Sequence, residues 1–348
     1  MLMYKITKKI FILLVLILGI GISVVVIQLL RFQSEAISLS SADRIFVINP
    51  GSSIKMIAQQ LSLDKIIDDP WLFILLAKLK GVEARVRAGE YRLQPNQSAS
   101  DLLDVFTKGR SIQYRLSIIE GWTFRQMIHA LQENPVITSL LKGKSDTEIM
   151  TALGYQDQHP EGLFFPDTYR FPKGTTDIQF LQRAYQLMQS HLQREWEGRA
   201  PGLPISTSYE ALILASIIEK ETGVAHERPL IAAVFIQRLK RGMRLQTDPT
   251  IIYGLGENFD GNIRSRDLKK NTPYNTYLHK GLTPTPIALP GLEAIKAALH
   301  PADSRALYFV AKGDGTHYFS KTLEQHNKAV VKYQLKGRKK RRKISSES

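Results

Sequence analysis

An uncharged apolar run extends from Ile10 to Ile27 and continues past Gln28 through Leu29 and Leu30. About 20 such residues cross the hydrocarbon core of a bilayer as a helix, so residues 10–31 are predicted to be a transmembrane helix. Gln33 to Asp43 is serine-rich and only weakly periodic, which predicts a short tether over 32–43. The pattern then becomes strand-like at Arg44–Ile48, turns at Asn49-Pro50-Gly51, and becomes helical with a serine cap over Ser52–Leu61. A helix over Trp71–Lys80, a strand over Gly89–Leu93 and a helix over Ser100–Lys108 complete a small α+β module spanning 44–110.

Residues 111–335 read as a larger domain. Gln113–Ile119 is predicted as a strand, Thr123–Leu131 as a threonine-capped helix, and Ile178–Glu195 as a long helix ended before Pro201-Gly-Leu-Pro204. Pro160 to Pro172 is dense in aromatic, proline and turn residues, a poor helix and a poor central strand, and is expected to be an ordered loop. With Glu161 and Asp167 it could be a sugar platform, or it could be a lid packed on its own core. Ser208 to Gly223 begins with a serine cap, carries the apolar stretch Leu212–Ile218 and stops at glycine, which predicts another helix. No fixed-period repeat is visible. The fold class expected is α+β: one N-terminal transmembrane helix, a small module and a larger domain.

Charge refines the topology. Lys5, Lys8 and Lys9 precede the apolar run, while only Arg31 and then Glu35 follow closely, which places residues 1–9 in the cytoplasm and the remainder outside a single-pass membrane anchor. A cleaved signal peptide would have an apolar region of about 7–15 residues and a small-x-small site behind it, and this run is longer. The net charge is +15, but seven of the surplus positive charges lie in Lys336–Lys343 and three more at the N-terminus. The body is therefore close to balanced, and nucleic acid is not an expected partner. The basic segment 336–348 reads as a solvated tail attracted to anionic headgroups or wall polymers. With no cysteine, disulfide scaffolds, thiolate nucleophiles and cysteine metal sites are excluded.

Candidate chemistry centres on Glu219, at the end of the apolar helix. Helical spacing stacks it on Ala215 and Ser216, small residues that would leave open space above the carboxyl, and an apolar rim favours the protonated form that a general acid needs. Glu221 projects roughly to the opposite side. Arg244–Thr250 and Thr272–Tyr277 read as two loops, pinned by prolines and rich in Gln, Asn, Thr and Tyr, a composition suited to polyhydroxylated ligands. No zinc-protease, Walker or nucleophile-elbow motif occurs, the histidines show no metal-ligand spacing, and neither metal nor cofactor is expected.

The motifs Leu214-Ala-Ser-Ile-Ile-Glu-Lys-Glu-Thr222, Phe235-Ile-x-Arg-Leu239, Met243–Thr250, Tyr253-Gly254, Tyr274-Asn-Thr-Tyr277, Gly281-Leu282 with Pro284, and Ala298-x-His-Pro301 closely resemble the endolytic murein transglycosylases of the YceG-like family. The resemblance covers nearly the whole chain. In the small module, Val47-x-Asn-Pro-Gly-Ser-Ser-x-x-x-Ile-Ala-x-x-Leu61 resembles the LysM family, which binds N-acetylglucosamine chains; a structural spacer is the alternative. The family resemblance implies a lyase of the bacterial cytoplasmic membrane that cuts peptidoglycan strands internally, giving 1,6-anhydromuramyl ends. It implies Glu219 as the single general acid and base, with Gln246, Thr247, Asp248, Tyr274, Asn275, Thr276, Tyr277 and Glu221 as substrate-binding positions. Peptidoglycan synthases are the partners it implies. Three other readings remain: a two-carboxylate muramidase with Asp248 or Asp167 as second carboxylate, a wall-binding anchor without activity, and an aminodeoxychorismate lyase that would need pyridoxal phosphate and is at odds with export.

Overall fold

The computed structural model describes residues 2–37 and 44–335, with side chains described from Lys9 onward; the basic tail lies outside the described residues. The chain divides into two compact units, one formed by residues 1–115 with 170–175 and the other by 116–169 with 176–348. Both mix helices with short antiparallel strands, so the α+β class holds.

In the first unit, α1 (Leu2–Ser34) leads to β1 (Arg44–Ile48), α2 (Ile54–Leu63), α3 (Pro70–Leu79), β2 (Gly89–Leu93) and α4 (Ala99–Thr107). Within α1, Lys9–Ser34 is 26 residues long with a peak mean hydropathy of 3.3, long and apolar enough to cross a membrane. β1 and β2 are antiparallel, with Phe46 opposite Tyr91. Those two rings close on Phe106 of α4, at centroid distances of 5.5 and 5.2 Å, and α2 and α3 add Leu61, Phe73 and Leu76 to the same core. Leu29, Phe32 and Ile37 pack against this core, and Ala36 bridges to Ser98. The first part of the expected tether is thus bound to the module because apolar side chains there find a core to cover. Residues 38–43 lie outside the described residues.

The chain passes from one unit to the other within β3 (Tyr114–Ser117) and back within β4 (Thr168–Phe171). The second unit continues with α5 (Phe124–Gln132), α6 (Asp146–Leu153), α7 (Asp177–Glu197), α8 (Ser208–Glu221), α9 (Arg228–Lys240), α10 (Asp248–Leu255), α11 (Leu292–Leu299), the hairpin β5 (Tyr308–Ala311) and β6 (His317–Ser320), and α12 (Leu323–Val330). α8 is its centre. Every residue from Ala211 to Ile218 is buried, because α7, α9, α10 and α11 all pack on this helix. A helix that is apolar all round can be satisfied only in such a position.

Three expectations change. The cap of α8 is Thr207, not Ser208: the Thr207 hydroxyl accepts from Glu210 N–H while the Glu210 carboxylate returns to Thr207 N–H, a capping box. The rings of the Pro160–Pro172 segment do not form a sugar platform, since Phe164, Phe165 and Tyr169 are all buried and Phe164 stacks on Phe124 at 5.1 Å; Pro160 and Glu161 at its start line a cavity, and its end forms β4. The first polar loop does not stay a loop. It turns into α10 at Asp248, with Pro249 in the first turn where its missing N–H costs nothing.

Candidate active site

The last turn of α8 sets the geometry. Glu219 follows eight buried residues, and its own side chain is only 5% exposed. One carboxylate oxygen accepts from Arg228 Nη2 at 3.3 Å, and the other accepts from the Gly291 N–H at 3.0 Å. Arg228 comes from the first turn of α9 and Gly291 caps α11, so three elements meet on one carboxylate. The space expected above Glu219 is occupied instead. Ala215 and Ser216 are fully buried, and Ser216 Oγ accepts from Ile287 N–H at 3.0 Å, tying the α11-side loop onto the helix.

A second carboxylate, Glu120, shares these neighbours. Its Oε2 lies 3.9 Å from Arg228 Nη2, and its carboxyl packs against Gly291 so closely that a Cβ there would fall 1.9 Å from Oε1. Burial, then the Glu219 charge and the weaker Glu293 charge, push the Glu120 carboxyl up, against the pull of Arg228. Lys220, the residue after Glu219, reaches the Gly121 carbonyl at 3.1 Å.

Lys220 also lines a cavity of about 750 Å³, whose walls include Arg125, Glu161, Tyr253 and Tyr274. Tyr253 and Tyr274 meet edge to face at 4.8 Å. The Tyr253 hydroxyl donates to Glu161 at 3.1 Å, and the Phe124 N–H donates to the other Glu161 oxygen at 2.9 Å. Burial raises Glu161 to about 7, even though these donors favour its charged form. The polar loops meet on the far side of the last turn of α8. Thr247 N–H donates to the Thr276 hydroxyl at 3.1 Å, that hydroxyl lies 2.9 Å from Thr250 Oγ1, and Thr247 Oγ1 donates to Glu221. Glu221 is raised to about 6, chiefly by burial and against its bond from Thr247.

A buried glutamate at the end of an apolar helix, followed by a lysine that lines a cavity, is a candidate for proton transfer. The YceG-like family model matches residues 46–332. The chain belongs to the YceG-like family. It is 33% identical over 303 residues to a protein of Bacillus subtilis (strain 168) named endolytic murein transglycosylase, covering 82% of this chain and 83% of that one. A protein of the same name from Streptococcus pneumoniae (strain D39) is 29% identical over 320 residues, which are 82% of this chain and 57% of the longer relative. A crystal structure of a yceG-like protein from Listeria monocytogenes superposes with a TM-score of 0.51 at 31% identity, covering 83% of this chain and 99% of that one.

Within this YceG-like chain, the residues singled out in the sequence fall into two groups. Gln246, Thr247, Asp248 and Glu221 do come together with the 274–277 segment. Thr247, Asn275 and Thr276 are buried and use their polar atoms on one another and on loop carbonyls: Asn275 Nδ2 donates to Leu268 O and Lys270 O, and its Oδ1 accepts from Tyr277 N–H. Gln246 and Asp248 stay exposed, with Gln246 in the left-handed region at φ 51° and Asp248 accepting from Tyr277 Oη at 2.6 Å. Tyr274, half-buried, faces the cavity and bonds Thr285. Glu219 joins neither loop; its partners are Arg228 and Gly291. Asp167 stands at the entry to β4, bonded to Thr168 N–H. Arg228, Glu120 and Gly291 carried no local signal, because they reach Glu219 from separate places in the chain.

Proposed function

We propose that this chain is an endolytic murein transglycosylase, held in the bacterial cytoplasmic membrane by α1, that cuts the bond between N-acetylmuramic acid and N-acetylglucosamine within peptidoglycan strands. The observation that carries this reading is the Glu219 carboxyl. It is buried at the end of a central apolar helix whose next residue, Lys220, lines a cavity walled by two tyrosines, in a chain of the family whose curated relatives bear that name.

Glu219 protonates the glycosidic oxygen as its bond to C1 breaks. The carboxylate then takes the proton of the muramyl 6-hydroxyl as that oxygen bonds to C1. The products are a free 4-hydroxyl and a 1,6-anhydro end; the proton count closes, and no water is consumed. Exclusion of water is therefore the demand on the site, met by the buried end of α8. Tyr253 and Tyr274 offer ring faces and edges to the apolar faces of pyranose rings. Gln246 and Asp248, exposed at the loop rim, are placed for glycan hydroxyls, and Thr247, Asn275 and Thr276 hold those loops in shape.

The lysines in the first turns of α1, ahead of its apolar stretch, put the N-terminus in the cytoplasm and both units outside, where nascent strands and the synthases that make them are found. The first unit, read as LysM-like, has a groove of about 350 Å³ between β1 and α2, lined by Val47, Asn49, Ser52, Met56 and Gln60, that would hold an N-acetylglucosamine chain. The test is digestion of purified peptidoglycan by the detergent-solubilised chain in ¹⁸O-labelled water. Anhydro ends carrying no label are expected. Labelled reducing ends would replace this mechanism with that of a water-using muramidase, and no released product would leave a wall-binding anchor.

A further inference from the structure

A buried general acid beside an arginine faces a contradiction. Glu219 must hold a proton to start the reaction, yet a neutral Glu219 would leave the Arg228 guanidinium, whose side chain is 10% exposed, without an anion. An unpaired buried charge is costly, so something must take over as counter-ion when Glu219 is protonated. The arrangement around Arg228 supplies the candidate. Its Nη2 stands between two carboxylates, 3.3 Å from Glu219 and 3.9 Å from Glu120, and its buried Nε has no partner among the described residues. A guanidinium with a free buried donor and a loose second contact is not saturated by either acid.

We propose that Glu120 is the alternate counter-ion of Arg228, so that the Glu120–Arg228–Glu219 cluster carries one proton between two carboxyls and Glu120 lets Glu219 hold it. This deepens the reading of Glu219 as the general acid and rests on it. When Glu219 takes the proton, Arg228 closes on ionised Glu120; when Glu219 has given it up to the leaving oxygen, Arg228 closes on Glu219. The exposed half of Glu120 exchanges protons with solvent, so the cluster reloads without opening the core. Glu120 acts through Arg228 and is a positioning residue. Its place is fixed by Gly291, where only the absence of a Cβ lets the Glu120 carboxyl lie against the same residue whose N–H binds Glu219.

The charged groups around Glu120 support the coupling. From α8 come Glu219 and Lys220, the latter bonded to the neighbouring Gly121 carbonyl; from α9 comes Arg228; from the first turn of α11 comes Glu293. Glu227, beside Arg228 in sequence, is turned away to His317, which it meets at 2.7 Å. Burial and the two acidic neighbours raise Glu120, the direction that a proton-sharing partner of Glu219 requires.

The experiment is the pH–rate profile of the full chain in detergent on purified peptidoglycan, for wild type, Glu120→Gln, Glu120→Asp and Glu219→Gln. In Glu120→Gln, Arg228 has Glu219 as its only anion, so the alkaline limb of kcat, where the acid loses its proton, moves to lower pH. A shift of about one pH unit gives roughly a tenfold loss above the limb and no loss below it. Glu120→Asp returns the limb part-way, and KM is unchanged in both. A Glu120→Gln limb that stays put, or a loss equal at every pH, overturns the proposal while Glu219→Gln remains inactive. A Glu219→Gln variant with wild-type rate overturns the underlying reading instead.

Discussion

Replacing Gly291 by alanine perturbs the site through one methyl group. Backbone strain plays no part, since φ is −76° and ψ 171°, ordinary for any residue. The added Cβ would lie 1.9 Å from Glu120 Oε1 and 2.3 Å from its carboxyl carbon, so one of them must move. If Glu120 swings into solvent, Arg228 loses its second carboxylate. If residue 291 shifts, its 3.0 Å bond to Glu219 stretches. A hydrogen bond to a charged group is worth about 1.5–3 kcal/mol. Lost in the transition state, that is roughly a ten- to 150-fold fall in kcat. Stability changes little: Glu120 is half exposed and free to turn, and alanine at this helix cap costs about 0.5–1 kcal/mol, or roughly 1–4 °C in melting midpoint. The assay is muropeptide release beside thermal denaturation of Gly291→Ala and wild type. Undiminished kcat, or an activity loss matched by unfolding, would refute the reasoning.

Three further outcomes are expected. Thr276→Val removes the buried hydroxyl that joins Thr247 and Thr250 and strands the Thr247 N–H, for a destabilisation of about 1–3 kcal/mol, readable in urea unfolding followed by tryptophan fluorescence. Glu161 titrates near 7 when folded, above the ordinary 4.5, so the folded state keeps a proton that the unfolded chain releases; its stability contribution is present below about pH 4.5 and lost as pH rises to about 7. Glu161→Gln removes that slope, and the variant gains on wild type by about 3 kcal/mol between pH 4.5 and 8, a gain that denaturant midpoints at the two pH values would reveal. Phe32→Ala, by uncovering part of the first unit's core, costs about 1–2 kcal/mol and speeds proteolysis next to α1 in detergent, as gel analysis of timed digests would show.

The first unit was legible in sequence because its signals are local. Arg44–Ile48 and Gly89–Leu93 end where turn residues end them, and Ser53 and Ser98 cap their helices through side chains. In the second unit, two errors came from local rules set against each other. Ser208 looks like a cap, but Thr207 has Glu210 three residues on and wins the N-terminus by the capping box. Pro249 reads as pinning a loop, but proline in a first turn also opens helices, as it does in α10. The buried rings of Pro160–Pro172 could not be told from exposed ones, because nothing in an aromatic, proline-rich segment states which face is covered. At the site, Glu219 could be picked out from its helix and the motif around it. Its partners Arg228 and Gly291, and Glu120 beside them, come from α9, the α11 cap and the turn before α5. Their meeting is a product of tertiary packing, to which periodicity is blind.

On the proposed mechanism Glu219 alone gives up and takes back the proton as the glycan is cut. Mass spectrometry of muropeptides released by the full chain and by Glu219→Gln, with circular dichroism confirming equal folding, tests it most directly. 1,6-Anhydromuramyl products are expected from the wild type, with a loss of at least about 10²-fold in the variant. Anhydro products released by Glu219→Gln at the wild-type rate would contradict it.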